Sequence, residues 1–219
     1  MSKMKFSKSN ISLTTSFYFK EYPILTHRGP LITEYLYKMD SVISKAVSNH
    51  PRTLAIRVDL RLPHDYGDVS SSLMSRFTES LKAQIRADLL RKSLHGTRVH
   101  QCNLRYIWVR ERESSSSPHF HVLLLLNQDT YYTLGDFSAE HGRNMVSRIR
   151  KAWASALSVI TVAVKGLVFF PKNAVYRLSL YSNDFCAVRA DLFRRISYFA
   201  KLDTKEYGIN SRSFGCSLK

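Results

Sequence analysis

Apolar positions recur along this chain at two spacings, every three to four residues and every second residue, and the changeovers between them mark its elements. Between Leu31 and Val47, the residues Ile32, Tyr35, Leu36, Met39, Ile43 and Val47 keep helical spacing, and His50-Pro51 ends that helix. Leu54–Leu62 then alternates apolar residues with Arg57, Asp59 and Arg61, which predicts a strand with one buried face, closed by Pro63 and Gly67. Leu73, Phe77, Leu81, Ile85 and Leu89 follow at every fourth position, the stripe of a long helix. Leu104–Glu111 and His119–Leu126 read as strands, and the serine-rich link Ser114–Pro118 makes a hairpin their simplest arrangement. A helix is predicted from Ser138 to Leu157, with Val146, Ile149, Trp153 and Ala156 inward and Arg143, Arg150 and Lys151 on its other side. Two short strands, Gly166–Phe170 and Ala174–Leu180, flank Pro171-Lys172-Asn173. A last helix from Asp184 to Lys201 buries Phe185, Val188, Leu192, Ile196 and Phe199.

This order lacks the strict alternation of a doubly wound fold. It predicts an α+β class, a central antiparallel sheet flanked by helices. The first thirty residues show no clear periodicity and end on Arg28-Gly29-Pro30. The chain therefore divides into an N-terminal extension and helix packed on the core (1–50) and a main domain (51–219).

Composition adds charge to this picture. With 44% hydrophobic residues, 8 glycines and 6 prolines, the 219-residue chain reads as globular and able to bury a real core. The 33 basic and 17 acidic residues leave +16, spread through every segment, which excludes a basic tail on a neutral domain. Such a surplus favours polyanions and salt-sensitive contacts to phosphate backbones. The three cysteines are far apart and lack a C-x-x-C pairing, so they read as free thiols of a reducing cytoplasm. No signal peptide and no membrane-spanning run is recognised, so a cytoplasmic protein without a membrane partner is expected.

The chemistry concentrates in Pro118-His119-Phe120-His121. On a strand, His119 and His121 point the same way while Phe120 enters the opposite layer, so two imidazoles stand side by side. Glu111 ends the preceding strand, and a hairpin brings it opposite His119; Glu113 is the reserve third ligand. Two imidazoles and a carboxylate suit Mg²⁺ or Mn²⁺, and Zn²⁺ also fits. The same residues also read as two core histidines bonded to backbone groups and a surface glutamate. In the last helix, Tyr198 and Lys201 share a face that Lys205 continues, with Arg194 and Arg195 a turn earlier. A phenol, with a pKa near 10, is a poor nucleophile at neutral pH unless nearby cations stabilise the phenolate.

Together, the strand Leu54–Pro63, the H-F-H strand and the later Tyr198-Phe199-Ala200-Lys201 helix resemble the HUH endonucleases that initiate rolling-circle replication. More narrowly, Arg57–Pro63, Trp108–Glu111, Pro118–Asn127, Phe170–Asn173 and Ser197–Lys205 look like the inovirus-type replication-protein family, of YagK/YfjJ C-terminal type. The resemblance implies a ferredoxin-like or RRM-like core, and metal-dependent nicking and joining of single-stranded or origin hairpin DNA in a bacterial host. It implies Tyr198 as nucleophile, Lys201 as its partner, and His119, His121 and Glu111 as metal ligands. The missing Walker A loop leaves unwinding to a host helicase and extension to a host polymerase. Only one tyrosine falls in the motif, which favours a one-tyrosine mechanism, although Tyr18 and Tyr22 keep a relaxase order open and Tyr207 lies further on. Arg57, Arg61, Arg110, Arg112, Arg143, Arg150, Lys151, Arg194, Arg195 and Lys205 are the candidate DNA contacts. Three alternatives are an HUH transposase, a non-enzymatic DNA-binding regulator, and an RNA-binding sheet that exposes Tyr106 and Trp108.

Overall fold

The computed structural model describes residues 11–27, 29–64, 66–67, 72–111, 118–137, 142–202 and 212–217. Short pairings come first: β1 (Leu13–Thr14) with β4 (Leu31–Ile32), and β2 (Tyr18–Phe19) with β3 (Tyr22–Pro23). Helix α1 (Thr33–Asn49), strand β5 (Arg52–Arg61) and helix α2 (Ser72–Leu94) follow. Next come β6 (Arg105–Glu111), β7 (His119–Asn127), α3 (Met145–Leu157), β8 (Val168–Phe169), β9 (Val175–Ser179), α4 (Phe185–Ser197) and β10 (Phe214–Cys216). The class is α+β, as predicted. The main sheet runs β10-β6-β7-β5, and β8 and β9 share the far edge of β5; every pairing is antiparallel.

Helices cover both faces of this sheet, which corrects the expectation that β5 buries only one. Leu54, Ile56, Val58 and Leu60 join Phe77, Leu81, Ile149 and Trp153 from α2 and α3 in one core. Ala55 joins Leu36, Met39 and Ile43 of α1 and Leu192, Phe193 and Ile196 of α4 in the other. The period-two signal on β5 survives because the second face opens toward its end, where Arg57 and Asp59 are half-buried and Arg61 is exposed.

Two helix ends differ from prediction. Helix α3 begins at Met145, because the Asn144 side chain accepts a hydrogen bond from the Ser147 amide (2.9 Å) and caps it. Arg143 therefore precedes the helix, and the predicted start at Ser138 lies outside the described residues. Helix α4 tightens into a 3₁₀ turn over Tyr198–Ala200, and Lys201 leaves it at φ −55°, ψ 132° to bridge Leu31.

Strand β10 had no period-two run to reveal it; it pairs with the edge of β6 through Phe214↔Val109, Gly215↔Trp108 and Cys216↔Ile107. Gly215 makes that pairing possible. A Cβ there would stand 2.4 Å from the Trp108 ring. Gly215→Ala is expected to lower stability by about 1–3 kcal/mol through overpacking, read as a reduced denaturation midpoint at unchanged m-value.

Candidate metal centre

The register of three neighbouring strands builds the site in two rows. Glu111, His119 and Arg61 are directly opposite one another on β6, β7 and β5, and Val109, His121 and Asp59 form the next row. The predicted Glu111–His119 pairing is therefore observed. All the polar members of these rows project from the α1/α4 face, since Phe120 and Trp108 lie in the α2/α3 core. Glu111 is fully buried, His121 is 7% exposed and His119 is half-buried.

The donor atoms converge. His119 Nε2 stands 3.2 Å from His121 Nε2, and Glu111 Oε2 lies 3.3 Å from the same His121 nitrogen. One donor from each of the three residues fits within a 4.8 Å cluster. Donors bound to one ion at about 2.1 Å stand roughly 3 Å apart, so the two short separations match shared coordination.

Asp59 settles the tautomer. Its Oδ1 accepts a 2.6 Å hydrogen bond from His121 Nδ1, so that nitrogen carries the proton and Nε2 offers a lone pair. That lone pair faces the Glu111 carboxylate, an arrangement that a shared cation or a second proton relieves. Burial pulls the His121 pKa down, but the Asp59 hydrogen bond and the facing Glu111 carboxylate outweigh it and hold it above the ordinary imidazole value. Burial likewise pushes the Asp59 pKa up, and the His121 bond with the Arg57 charge more than reverses this, leaving it below the usual carboxylate value. Mg²⁺ or Mn²⁺ fits this mixed nitrogen and oxygen set.

Asp59 was missed as a site residue from sequence. Its one local signal is an acid between two arginines on a strand, and no local spacing pairs that strand with the histidine-bearing one. Asp59→Asn keeps the shape but loses the charge that orients His121. It is expected to weaken Mn²⁺ binding about 10- to 100-fold by isothermal titration.

The 3₁₀ turn after α4 delivers Tyr198 to this cluster. Its ring centroid is 5.9 Å from that of His121, edge to face, while the Phe199 ring stacks on His121 at 5.9 Å and 11°. Lys201 Nζ lies 5.8 Å from the Tyr198 ring centroid, so the Y-x-x-K pair is brought together, across a turn rather than along a helix face.

The basic candidates divide. Arg61 is exposed at the end of the site, and Arg57 leans on Asp59 (3.5 Å) and over the Phe199 ring (5.5 Å). Arg110 is only 6% exposed and opposes Phe120, so it lies on the face away from the Glu111–His119–His121 cluster. Arg195 donates to the carbonyls of Lys172 (2.5 Å) and Asn173 (2.7 Å), holding the β8–β9 turn. Arg194 is exposed on α4. Arg150 donates to the Phe137 carbonyl (2.9 Å), and Arg143 and Lys151 line a cleft between α2 and α3 with Arg91 and Arg148. These three thus belong to the layer behind the sheet from Tyr198. Arg112, Glu113, Lys205 and Tyr207 lie outside the described residues. Trp108 is buried at 7% against Phe120, so it offers no exposed base-stacking surface of the kind an RNA-binding sheet needs. Among the described residues, no helix is long and apolar enough to cross a membrane.

Fold and cluster together define an α+β protein with a His-His-Glu cluster on one sheet face. The chain belongs to the YagK/YfjJ C-terminal domain family, whose sequence model matches residues 14–217. It is 37% identical to the uncharacterized protein YagK of Escherichia coli (strain K12) over 201 residues, covering 88% of this chain and 95% of that protein. It is 34% identical to the uncharacterized protein YfjJ of the same strain over 202 residues, covering 86% and 96%. No solved structure matches the chain significantly.

Proposed function

We propose that this protein is a metal-dependent endonuclease of the HUH type, which nicks and rejoins single-stranded or origin hairpin DNA to initiate replication of a phage-like element. The observation that carries the reading is the convergence of Glu111, His119 and His121 beside Tyr198, with Lys201 over the tyrosine ring. A divalent cation held by those three residues would polarise the phosphate and stabilise charge as the bond breaks. Tyr198 Oη attacks the scissile phosphorus, the P–O3′ bond breaks, and a 5′-phosphotyrosine forms. The proton lost by the phenol balances the one taken up by the departing 3′-oxygen. Lys201 supplies the positive charge that favours phenolate, and Asp59 keeps His121 in its coordinating tautomer. Attack by a 3′-hydroxyl on the phosphotyrosine runs the same step backwards and rejoins the strand. A host helicase and polymerase in a bacterial cytoplasm would open the duplex and extend the free 3′-end. The net +16 supplies the sequence-independent part of DNA affinity.

The test is to incubate the protein with Mn²⁺ or Mg²⁺ and origin-derived single strands labelled at either end, then resolve the products on a denaturing gel. A metal-dependent adduct is expected on 3′-labelled strands only, with the 5′-labelled fragment extendable by a polymerase. Specific binding with no adduct on any origin strand would overturn the enzyme reading and leave a DNA-binding regulator.

A further inference from the structure

The row Val109–His121–Asp59 continues one strand further. Phe169 on β8 is directly opposite Asp59, while its neighbour Val168 is opposite Leu60 and enters the α2/α3 core. Phe169 therefore shares the face of Asp59, His121 and Glu111. Among the described residues of the six-stranded sheet, it is the one large apolar side chain left exposed, at 49%. The next residue, Phe170, packs instead against the Phe137 ring (5.4 Å) and the core. An exposed Arg61, which flanks His119 in the adjoining row, places its guanidinium carbon 5.8 Å from the centre of the Phe169 ring. A half-open aromatic ring with a cation beside it, next to a centre suited to phosphate, is complementary to a nucleotide: ring to base, guanidinium to phosphate.

We infer that Phe169 and Arg61 form a base-stacking subsite for the nucleotide next to the attacked phosphate; this rests on the single-strand reading above. Two strand spacings, roughly 10 Å, separate the backbones at Phe169 and His121, a span that the sugar and base of one nucleotide cover. The subsite holds that base flat on Phe169 and its phosphate near Arg61, which aims the strand across the Glu111–His119–His121 cluster. It discriminates little between bases, because every base has a face to stack.

A short oligothymidylate is the probe, with a matched strand of abasic residues as its control. Phe169→Ala is expected to weaken oligothymidylate binding about tenfold and leave abasic binding unchanged. Phe169→Trp is expected to bind like the unaltered protein and to lose indole emission on adding oligothymidylate but not abasic strand. That signal is separable because Trp108 and Trp153 are buried at 7% and 0%. If the unaltered protein binds oligothymidylate but Phe169→Ala binds equally well and the Phe169→Trp emission does not change, the subsite alone is overturned. If the unaltered protein does not bind single strands, the subsite falls together with the reading beneath it. Base-dependent quenching in a protein that never forms the covalent adduct supports the subsite and removes only the nicking chemistry.

Discussion

Tyr198→Phe is expected to abolish the covalent adduct, lowering its rate of formation by at least about a thousandfold, or some 4 kcal/mol in activation free energy. The substitution removes one oxygen and keeps the ring. The edge-to-face contact with His121 and the Lys201 ammonium over the ring both persist, since neither uses the hydroxyl. Tyr198 is half-exposed at the end of α4, so the melting midpoint should move by no more than a surface change does, within about 0.5 kcal/mol. Mn²⁺ affinity and single-strand affinity should be unchanged. An adduct that forms at the normal rate in this variant would move the nucleophile elsewhere. Tyr22 is a poor substitute: it is 5% exposed, its ring lies 4.7 Å from Phe193, and burial raises its phenol pKa well above the ordinary value.

The parts of this site that were legible in the sequence are those governed by local repeat. Strand alternation alone put His119 and His121 on one face, and the Glu111–His119 register followed from a hairpin of eight residues' separation. Asp59 was not legible as a ligand-orienting group. Its pairing to His121 is a contact between strands 62 residues apart, set by how β5 and β7 align rather than by any local spacing. The same cause hid Phe169, whose place beside Asp59 depends on two residues of edge pairing. Helix periodicity overran its true ends at Tyr198 because a 3₁₀ turn keeps the i, i+3 pair that the pattern detects. Arg110 and Arg195 show why charge is a poor guide to surface. A guanidinium on a long apolar stem can be buried in a layer or spent on backbone carbonyls, and sequence does not distinguish these from a free one.

The largest stability effect lies behind the sheet, at Asp88. This α2 carboxylate has a side chain only 3% exposed, and four groups converge on it. Arg91 (2.5 Å), Lys92 (3.0 Å) and Arg148 from α3 (2.6 Å) pair with it, and the Tyr131 hydroxyl donates to it at 3.0 Å. Arg148 is itself 9% exposed at its side chain and has no other acid among its described ion pairs. Asp88→Asn leaves that guanidinium buried against a neutral amide, and the α2–α3 contact loses its charge balance. A loss of about 3 kcal/mol or more is expected, the usual consequence of removing one partner from a buried pair. The pH dependence has a definite sign. Burial raises the Asp88 pKa, but the bonds to Arg91 and Lys92 and the Arg148 charge outweigh it and leave it below its usual value. A depressed folded-state pKa contributes stability above the unfolded value, near pH 4, and loses it as the pH falls further through the folded one. Denaturant midpoints measured from pH 6 downward should therefore converge for Asp88→Asn and the unaltered protein below about pH 4. A gap that persists into acid would mean that the substitution acts through packing and not through the carboxylate's charge.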